Sequence, residues 1–374
     1  MPTIPPMIPQ PTQSKSPPPT FAERAPSRSH AHLLSWALVL GVVALGSLFF
    51  FSDGRKLWDT IATLDLALLS IPLACGLASY AIMAKSYQDI AAAAGSNVPF
   101  WEMLKITCVA NTVNYLVSTG GLSGFAVRMY FFIKRSIPSG TAVIISLVQT
   151  FITNTVLLLF VVGGFGYLLS VHELHGYALG TIAALLCIFV LAAGLTLLLL
   201  LHRELRRRTL FLLAEAAHWT MHRFLPRHKP GRVRIWRFQR NLNRGIEFVL
   251  ARKRRMIAPT LWIVLDWFIT LLILYSAFRA VRYPIPMSFV VVGFAVGIVL
   301  SLVSFVPGGL GVMEGSMAAI FASLSVPFET AVVAVLIFRV SYYLVPMIIS
   351  VFFFRGMLVQ GARAAPEVLE QQTE

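Results

Sequence analysis

Runs of about twenty apolar residues recur along the whole chain, and they limit the folds open to it. A helix of roughly 20 apolar residues is long enough to cross a bilayer. It also satisfies its backbone hydrogen bonds internally, as lipid requires of any spanning segment. We therefore predict an all-α, polytopic helical membrane protein with about seven to nine transmembrane or re-entrant segments. The apolar runs cover residues 33–51, 64–84, 141–169, 178–201, 257–280, 287–306 and 329–354.

The positive charge of the chain is concentrated in one segment between these runs. Residues 202–256 contain sixteen Lys or Arg and three acidic residues, in a chain of net charge +15. Only 13% of all residues are charged, against about 25% in soluble domains. In a membrane protein, such a segment is typical of a cytoplasmic loop beside anionic lipid. We predict a basic, partly amphipathic linker there and no nucleic acid partner.

This linker divides the chain into two transmembrane halves. Because basic loops stay in the cytoplasm, the N-terminus is predicted to be cytoplasmic as well. In that topology a hairpin at 103–133 enters the membrane from the cytoplasmic side, and a second one at 287–325 dips in from outside. The predicted divisions are a disordered Pro-rich tail at 1–32, a first half at 33–201, the linker at 202–256, a second half at 257–356 and a short tail at 357–374.

The string PGGLGVMEG, residues 307–315, interrupts the apolar region of the second half. Pro307 stops a helix, and Gly308, Gly309 and Gly311 open the backbone. Glu314 adds a carboxylate at membrane depth. Broken backbone at that depth requires burial in protein or a wet cavity, and an ionisable residue there indicates a functional site. A loop that has emerged at the membrane surface is the alternative interpretation.

A related string occurs in the first half. Gly120-Gly121-Leu122 aligns with Gly308-Gly309-Leu310, and the same offset places Thr141 on Glu329. The two hairpins enter from opposite sides in the predicted topology. This pattern predicts an inverted repeat whose two Gly-rich broken helices meet near the midplane. A chance match of three residues is the alternative.

Polar residues mark the segments around both strings. Thr107, Asn111, Asn114 and Ser118 form one stripe at helical spacing, and Ser146, Gln149, Thr150 and Thr153 form another. The four charges Arg128, Asp266, Glu314 and Arg339 sum to zero and suggest a shared polar cavity for an anionic head group. The candidate substrate-binding residues are Asn111, Asn114, Gly120, Gly121, Gly124, Arg128, Gln149, Asp266, Pro307, Gly308, Gly309, Gly311, Glu314 and Arg339.

Structural interpretations of the same residues remain open at this point. Asn, Ser and Thr often make interhelical hydrogen bonds and nothing more. Asp266 and Arg339 could form a structural ion pair, and Arg128 could extend to the membrane interface. The three cysteines, Cys75, Cys108 and Cys187, lie in apolar segments, and the histidines show no metal-binding spacing. We expect no metal and no cofactor.

The strings GGLSGFAVR (120–128), followed by Lys134-Arg135 and Pro138, and PGGLGVMEG (307–315) resemble the flippase-like family built on the transmembrane region of lysylphosphatidylglycerol synthetase. The resemblance covers about 33–356. It implies a translocase of lipids or lipid-linked precursors in a bacterial inner membrane, with phospholipid or polyprenyl-phosphate lipids as partners. It marks as family positions Asn114, Gly120, Gly121, Gly124, Arg128, Pro307, Gly308, Gly309, Gly311, Glu314 and Arg339.

The chain departs from that family pattern in two ways. Many relatives carry a Glu-Arg pair where this chain has Gln149-Thr150, which implies a different charge-dependent step or head group. Relatives that make aminoacylated lipid carry a soluble synthetase domain after the membrane region, whereas this sequence ends at Glu374. We therefore expect a translocase and not an enzyme. The alternatives are a partner subunit of a separate synthetase or glycosyltransferase, docked through 202–256, and an enzyme on lipid phosphate with Glu314 or Asp266 as base.

Overall fold

The computed structural model describes residues 53–116, 122–171, 251–303 and 306–356, together with isolated positions between 187 and 248. The predicted helix at 33–51, both tails, most of 178–201 and most of the linker lie outside the described residues. So do Ser118, Gly120 and Gly121. Every regular element in the described part is helical, and no strand occurs there. This confirms the prediction of an all-α fold.

The first half contains five described helices. A short helix, α1 (Gly54–Ala62), leads into the long helix α2 (Leu66–Ala93). Asp65 begins α2 because its side chain accepts hydrogen bonds from the backbone N–H groups of Ala67 and Leu68, at 3.1 and 3.2 Å. Two shorter helices follow, α3 (Phe100–Leu116) and α4 (Leu122–Lys134). The half continues with α5 (Ser139–Val171).

The second half contains four described helices in the same order of lengths. Helix α6 (Lys253–Ala280) is long, and α7 (Met287–Val303) is short. A 3₁₀ turn at Pro307–Gly309 separates α7 from α8 (Val312–Ser323). Helix α9 spans Phe328–Arg339 and continues through a π-helical turn, Val340–Leu344, to Gly356.

Four of these helices are long and apolar enough to cross a membrane. They are α2, α5, α6 and α9. Large apolar side chains on their outer faces, such as Leu66, Leu261 and Phe352, are exposed, as expected of surfaces that contact lipid. The chain is therefore a multi-pass membrane protein. Helices α3, α4, α7 and α8 have 17, 13, 17 and 12 residues, less than the roughly 20 needed for a full crossing. That is the length expected of the arms of a hairpin.

The two halves repeat one another element by element. Helices α2 and α6 each have 28 residues and carry a proline at the seventh position, Pro72 and Pro259. Helices α3 and α7 each have 17 residues. The loops after α2 and α6 turn at equivalent residues with positive φ, Gly95 and Arg282. The repeat predicted from the sequence is present, although its offset varies from 187 to 190 residues between the starts of equivalent helices.

The equivalent helices α2 and α6 pack against each other in opposite directions. Asp65, before α2, donates its N–H to the carbonyl of Ala280 at the end of α6, at 2.9 Å. Near the other end, the Ser86 hydroxyl donates to the carbonyl of Pro259 at 3.1 Å. A two-fold axis across the membrane-crossing helices is the operation that relates such antiparallel partners. The halves therefore form an inverted repeat, and α2 and α6 form the seam between them.

Candidate functional site

The helical structure is interrupted between α7 and α8, at the glycines that predict this interruption. Gly308, Gly309 and Gly311 have φ of 59°, 63° and 78°, a region that residues with a Cβ rarely adopt. At Gly309 an added Cβ would also collide with the hydroxyl of Ser301 on α7. The turn therefore requires glycine for its backbone angles and for its fit against α7. It leaves backbone carbonyls inside the protein without helical partners.

Arg339 on α9 fills this break. Its Nη1 donates to the carbonyl of Gly308 at 2.8 Å, and its Nη2 donates to the carbonyl of Gly309 at 3.0 Å. Its Nε lies 2.6 Å from Glu314 Oε1, and both side chains are buried. Glu314 is in the first turn of α8, where the helix dipole favours negative charge. The second hairpin thus holds its own cation and anion, so its tip is not an open anion site.

A π-helical turn follows directly after Arg339. Such turns frequently occur at functional sites. The Tyr343 ring within it lies 4.4 Å from the Arg339 guanidinium carbon and 4.6 Å from the Tyr115 ring at the end of α3. On the opposite side, a Cβ at Gly76 of α2 would collide with the carbonyl of Ser341. Neither this turn nor the role of Gly76 was predicted from the sequence. An isolated glycine in a helix was the only available signal.

The end of α3 contacts the turn between α7 and α8. Tyr115 lies one residue before the end of α3, close to the predicted first tip. Its carbonyl oxygen would be 3.4 Å from a Cβ at Gly308 in the second turn. This contact is the one expected where two broken helices of an inverted repeat approach each other.

Arg128 forms a second polar cluster, within the first half. Its Nη2 donates to Asn111 Oδ1 at 2.5 Å, and its guanidinium carbon lies 4.7 Å from the centre of the Tyr87 ring. The Asn111 amide in turn contacts Met83 Sδ at 2.8 Å. Arg128 is 9% exposed, whereas Lys134 at the end of the same helix is exposed. The interpretation of Arg128 as a residue extended to the interface is therefore wrong.

Gly124 allows α4 to approach α3 beside this cluster. A Cβ there would be 2.8 Å from the carbonyl oxygen of Ala110 and 3.0 Å from Asn114 Cβ. Asn114 is half-buried, and its Oδ1 lies 3.5 Å from the Ser123 hydroxyl. Of the polar stripe predicted on α3, Asn111 and Asn114 therefore face α4.

Asp266 and Gln149 occupy the seam between the halves. The Ser79 hydroxyl donates to Asp266 Oδ1 across α2 and α6. The Ser86 hydroxyl donates to Gln149 Oε1 at 2.9 Å. Asp266 does not pair with Arg339, so the ion pair considered from the sequence is not formed. Among the described residues, the four charged candidates are held in three separate places.

The site contains no evident ligand set for a metal. Within the described part of the chain, no three His, Cys, Asp or Glu side chains are grouped closely enough to hold an ion. The arrangement offers instead a buried guanidinium, amides and hydroxyl groups. Such groups are suited to binding an anionic oxygen group.

Comparison with known proteins agrees with this membrane architecture. The chain is similar to phosphatidylglycerol lysyltransferases of Staphylococcus haemolyticus (34% identity over 85 residues), Staphylococcus xylosus (32% over 95) and Staphylococcus aureus strain MRSA252 (34% over 92). These matches cover 23%, 24% and 24% of this chain and about a tenth of each relative: 10%, 11% and 11%.

A family model describes a much larger part of the chain. The model of the lysylphosphatidylglycerol synthase TM region matches residues 36–350. That match includes all the described helices from α1 to α8, both hairpins and most of α9. The chain therefore belongs to the lysylphosphatidylglycerol synthase TM-region family.

Proposed function

We propose that this chain translocates an anionic phospholipid across the membrane and binds the head group at Arg128. The observation that carries the proposal is the charge of the Arg128 cluster. Arg128 is buried and hydrogen-bonded to a neutral amide, and no carboxylate of the described chain lies within ion-pair distance of it. A buried, uncompensated cation is costly, by several kcal/mol on common estimates. A phosphodiester would supply the missing charge.

Helix α3, which carries Asn111, has further polar groups suited to such a ligand. The hydroxyl groups of Thr107 and Thr112 on α3 are buried and have no hydrogen-bond partner among the described residues. Arg128 Nε is likewise unpartnered there. Phosphate oxygens accept hydrogen bonds from guanidinium and hydroxyl groups alike. The curated relatives are named for phosphatidylglycerol, whose head group is an anionic phosphodiester, and polyprenyl phosphate presents an anionic phosphate monoester with oxygens that accept the same hydrogen bonds.

The mechanism proposed is alternating access between the two halves. The head group would enter between the hairpins while the acyl chains stay in lipid, and rocking of one half against the other would expose the site to each side in turn. Glu314 is engaged by Arg339, which makes it a poor general base. This disfavours Glu314 as the base of a lipid-phosphate enzyme, and we propose that the chain itself catalyses no covalent step.

The proposal is tested in proteoliposomes with fluorescent lipid analogues and a quencher added from outside. Wild-type protein should translocate phosphatidylglycerol or polyprenyl phosphate faster than zwitterionic phosphatidylcholine. Arg128→Gln should slow this about 10- to 100-fold, because a charge-assisted contact contributes about 1.5–3 kcal/mol. Lys134→Gln, which removes an exposed charge from the same helix, is the matched control. Equal rates for Arg128→Gln and wild type would eliminate this site, and chemical conversion of the lipid would identify an enzyme instead.

A further inference from the structure

Asp266 lies at the pseudo-symmetry axis of the molecule. Helices α2 and α6 begin at Leu66 and Lys253, so position 79 of the first half is equivalent to position 266 of the second. These two equivalent residues touch, because the Ser79 hydroxyl donates to the Asp266 carboxyl group. Symmetry-equivalent positions meet only at the axis itself. A motion that separates the two halves at this point of the seam therefore breaks this hydrogen bond.

The carboxyl group of Asp266 has no compensating charge nearby. It is 6% exposed, and Ser79 is its one hydrogen-bonding side chain in the described part of the chain. No described Arg, Lys or His lies within ion-pair distance of it. On the helices packed against α6, Arg339 is engaged by Glu314, and Lys85 is engaged by Asp89 at 2.9 Å.

The titratable groups that face Asp266 are neutral hydroxyl groups. Helices α5 and α7 contribute no described titratable or charged side chain to the seam. The groups close enough to interact electrostatically with Asp266 are Tyr80 on α2, Tyr115 on α3 and Tyr342 in the π-helical turn. An ionised carboxylate in such surroundings would be an unpaired buried charge, and buried groups of this kind take up a proton instead.

We propose that Asp266 is a proton-binding site at the seam, and that its protonation controls the alternation between the two halves. This inference rests on the proposed translocation. With the proton bound, Asp266 and Ser79 share a hydrogen bond, and the seam stays closed and dry. When the O–H bond of the acid breaks, the proton passes to a water molecule as hydronium and leaves a carboxylate. That charge requires water, so the halves separate at one side until a proton is taken up again.

The bound proton is detected without any transport measurement. Infrared difference spectra of the full chain in lipid, recorded across pH, should contain the carbonyl band of a protonated acid at neutral pH. The band should vanish in Asp266→Asn and shift to higher frequency in Ser79→Ala, which removes the donated hydrogen bond. Asp89→Asn is the control, because Asp89 is paired with Lys85, and it should leave the band unchanged. A neutral-pH spectrum in which wild type and Asp266→Asn are identical would overturn the proposal.

The coupling of lipid translocation to proton binding is measured in proteoliposomes with an imposed pH gradient. One proton per lipid and a gradient of about two pH units would support up to about 100-fold lipid asymmetry. Asp266→Asn should abolish the response to the gradient. If a sodium gradient alone stimulates lipid translocation and Asp266→Asn removes that stimulation, the ion bound at Asp266 is a metal cation, and the proposal of a proton is overturned. If wild type moves no lipid, the proposed function fails, while the infrared band still decides whether Asp266 holds a proton.

Discussion

The Glu314–Arg339 pair should show strong energetic coupling, and this can be measured with a double-mutant cycle. The cycle compares Glu314→Gln, Arg339→Met and the double variant with wild type. Each single change leaves one buried charge without its partner, whereas the double change leaves none. The losses in free energy of unfolding caused by the two single changes should therefore not add up to the loss in the double variant.

The contacts that each substitution removes determine its expected loss in free energy of unfolding. In Arg339→Met, Glu314 remains buried without its partner, which costs about 3–4 kcal/mol. The carbonyls of Gly308 and Gly309 also lose their donors, at about 1 kcal/mol or more each. The expected total is about 5 kcal/mol, against about 3 kcal/mol for Glu314→Gln, which keeps both carbonyl contacts. The double variant should lose only about 2–3 kcal/mol, because the two carbonyls are then its main deficit.

Unfolding in mixed micelles with an increasing fraction of sodium dodecyl sulfate, followed by tryptophan fluorescence, provides the measurement. Lys85→Met and Asp89→Asn form the control cycle, because that pair is partly exposed and belongs to one helix. Its coupling should be about 0.5 kcal/mol. If the losses of Glu314→Gln and Arg339→Met add to within about 0.5 kcal/mol in the double variant, the two side chains do not hold each other and the reasoning is refuted.

Four further substitutions test the packing and the backbone strain in the same assay, one of them as a control. Gly76→Ala should lower the free energy of unfolding by about 1–3 kcal/mol, because its Cβ meets the Ser341 carbonyl; Gly163→Ala, in open space on α5, should be neutral or stabilising by up to about 1 kcal/mol. Gly309→Ala should cost about 2–4 kcal/mol from its φ of 63° and the collision with α7. Ser325→Gly should stabilise by up to about 1 kcal/mol, since Ser325 has a φ of 66°; an unchanged midpoint there would contradict the strain.

The helices and their duplication could be predicted from the sequence because lipid imposes simple rules. Apolar length identified α2, α5, α6 and α9, and the Pro-Gly string located the break before α8. The repeat was visible in only three matched residues. The structure extends it to paired helix lengths and to Pro72 and Pro259, which are 187 residues apart, whereas the two Gly-Gly-Leu strings are 188 residues apart.

The pairing of the charges could not be predicted in the same way. The sequence shows four charged residues within apolar segments, but it leaves several pairings among them open. These residues are Arg128, Asp266, Glu314 and Arg339. Which side chains meet depends on where distant helices cross and on the π-helical turn after Arg339, which places Tyr343 beneath its guanidinium group. These are properties of tertiary packing, and apolar periodicity carries no information about them.

The two halves share the same arrangement of helices but differ in charge at equivalent positions. Glu314 is the third residue of α8, and the third residue of α4 is Gly124. Arg339 is the twelfth residue of α9, and the twelfth of α5 is Thr150, whose hydroxyl donates to the Ser146 carbonyl of its own helix. The second hairpin is therefore closed by its own ion pair, whereas the first has no counterpart of that pair. Of the two buried arginines in the described part of the chain, Arg339 is paired with Glu314 and Arg128 has no carboxylate partner, and for this reason the proposed head-group site is at Arg128 and not at the Pro307–Gly309 turn.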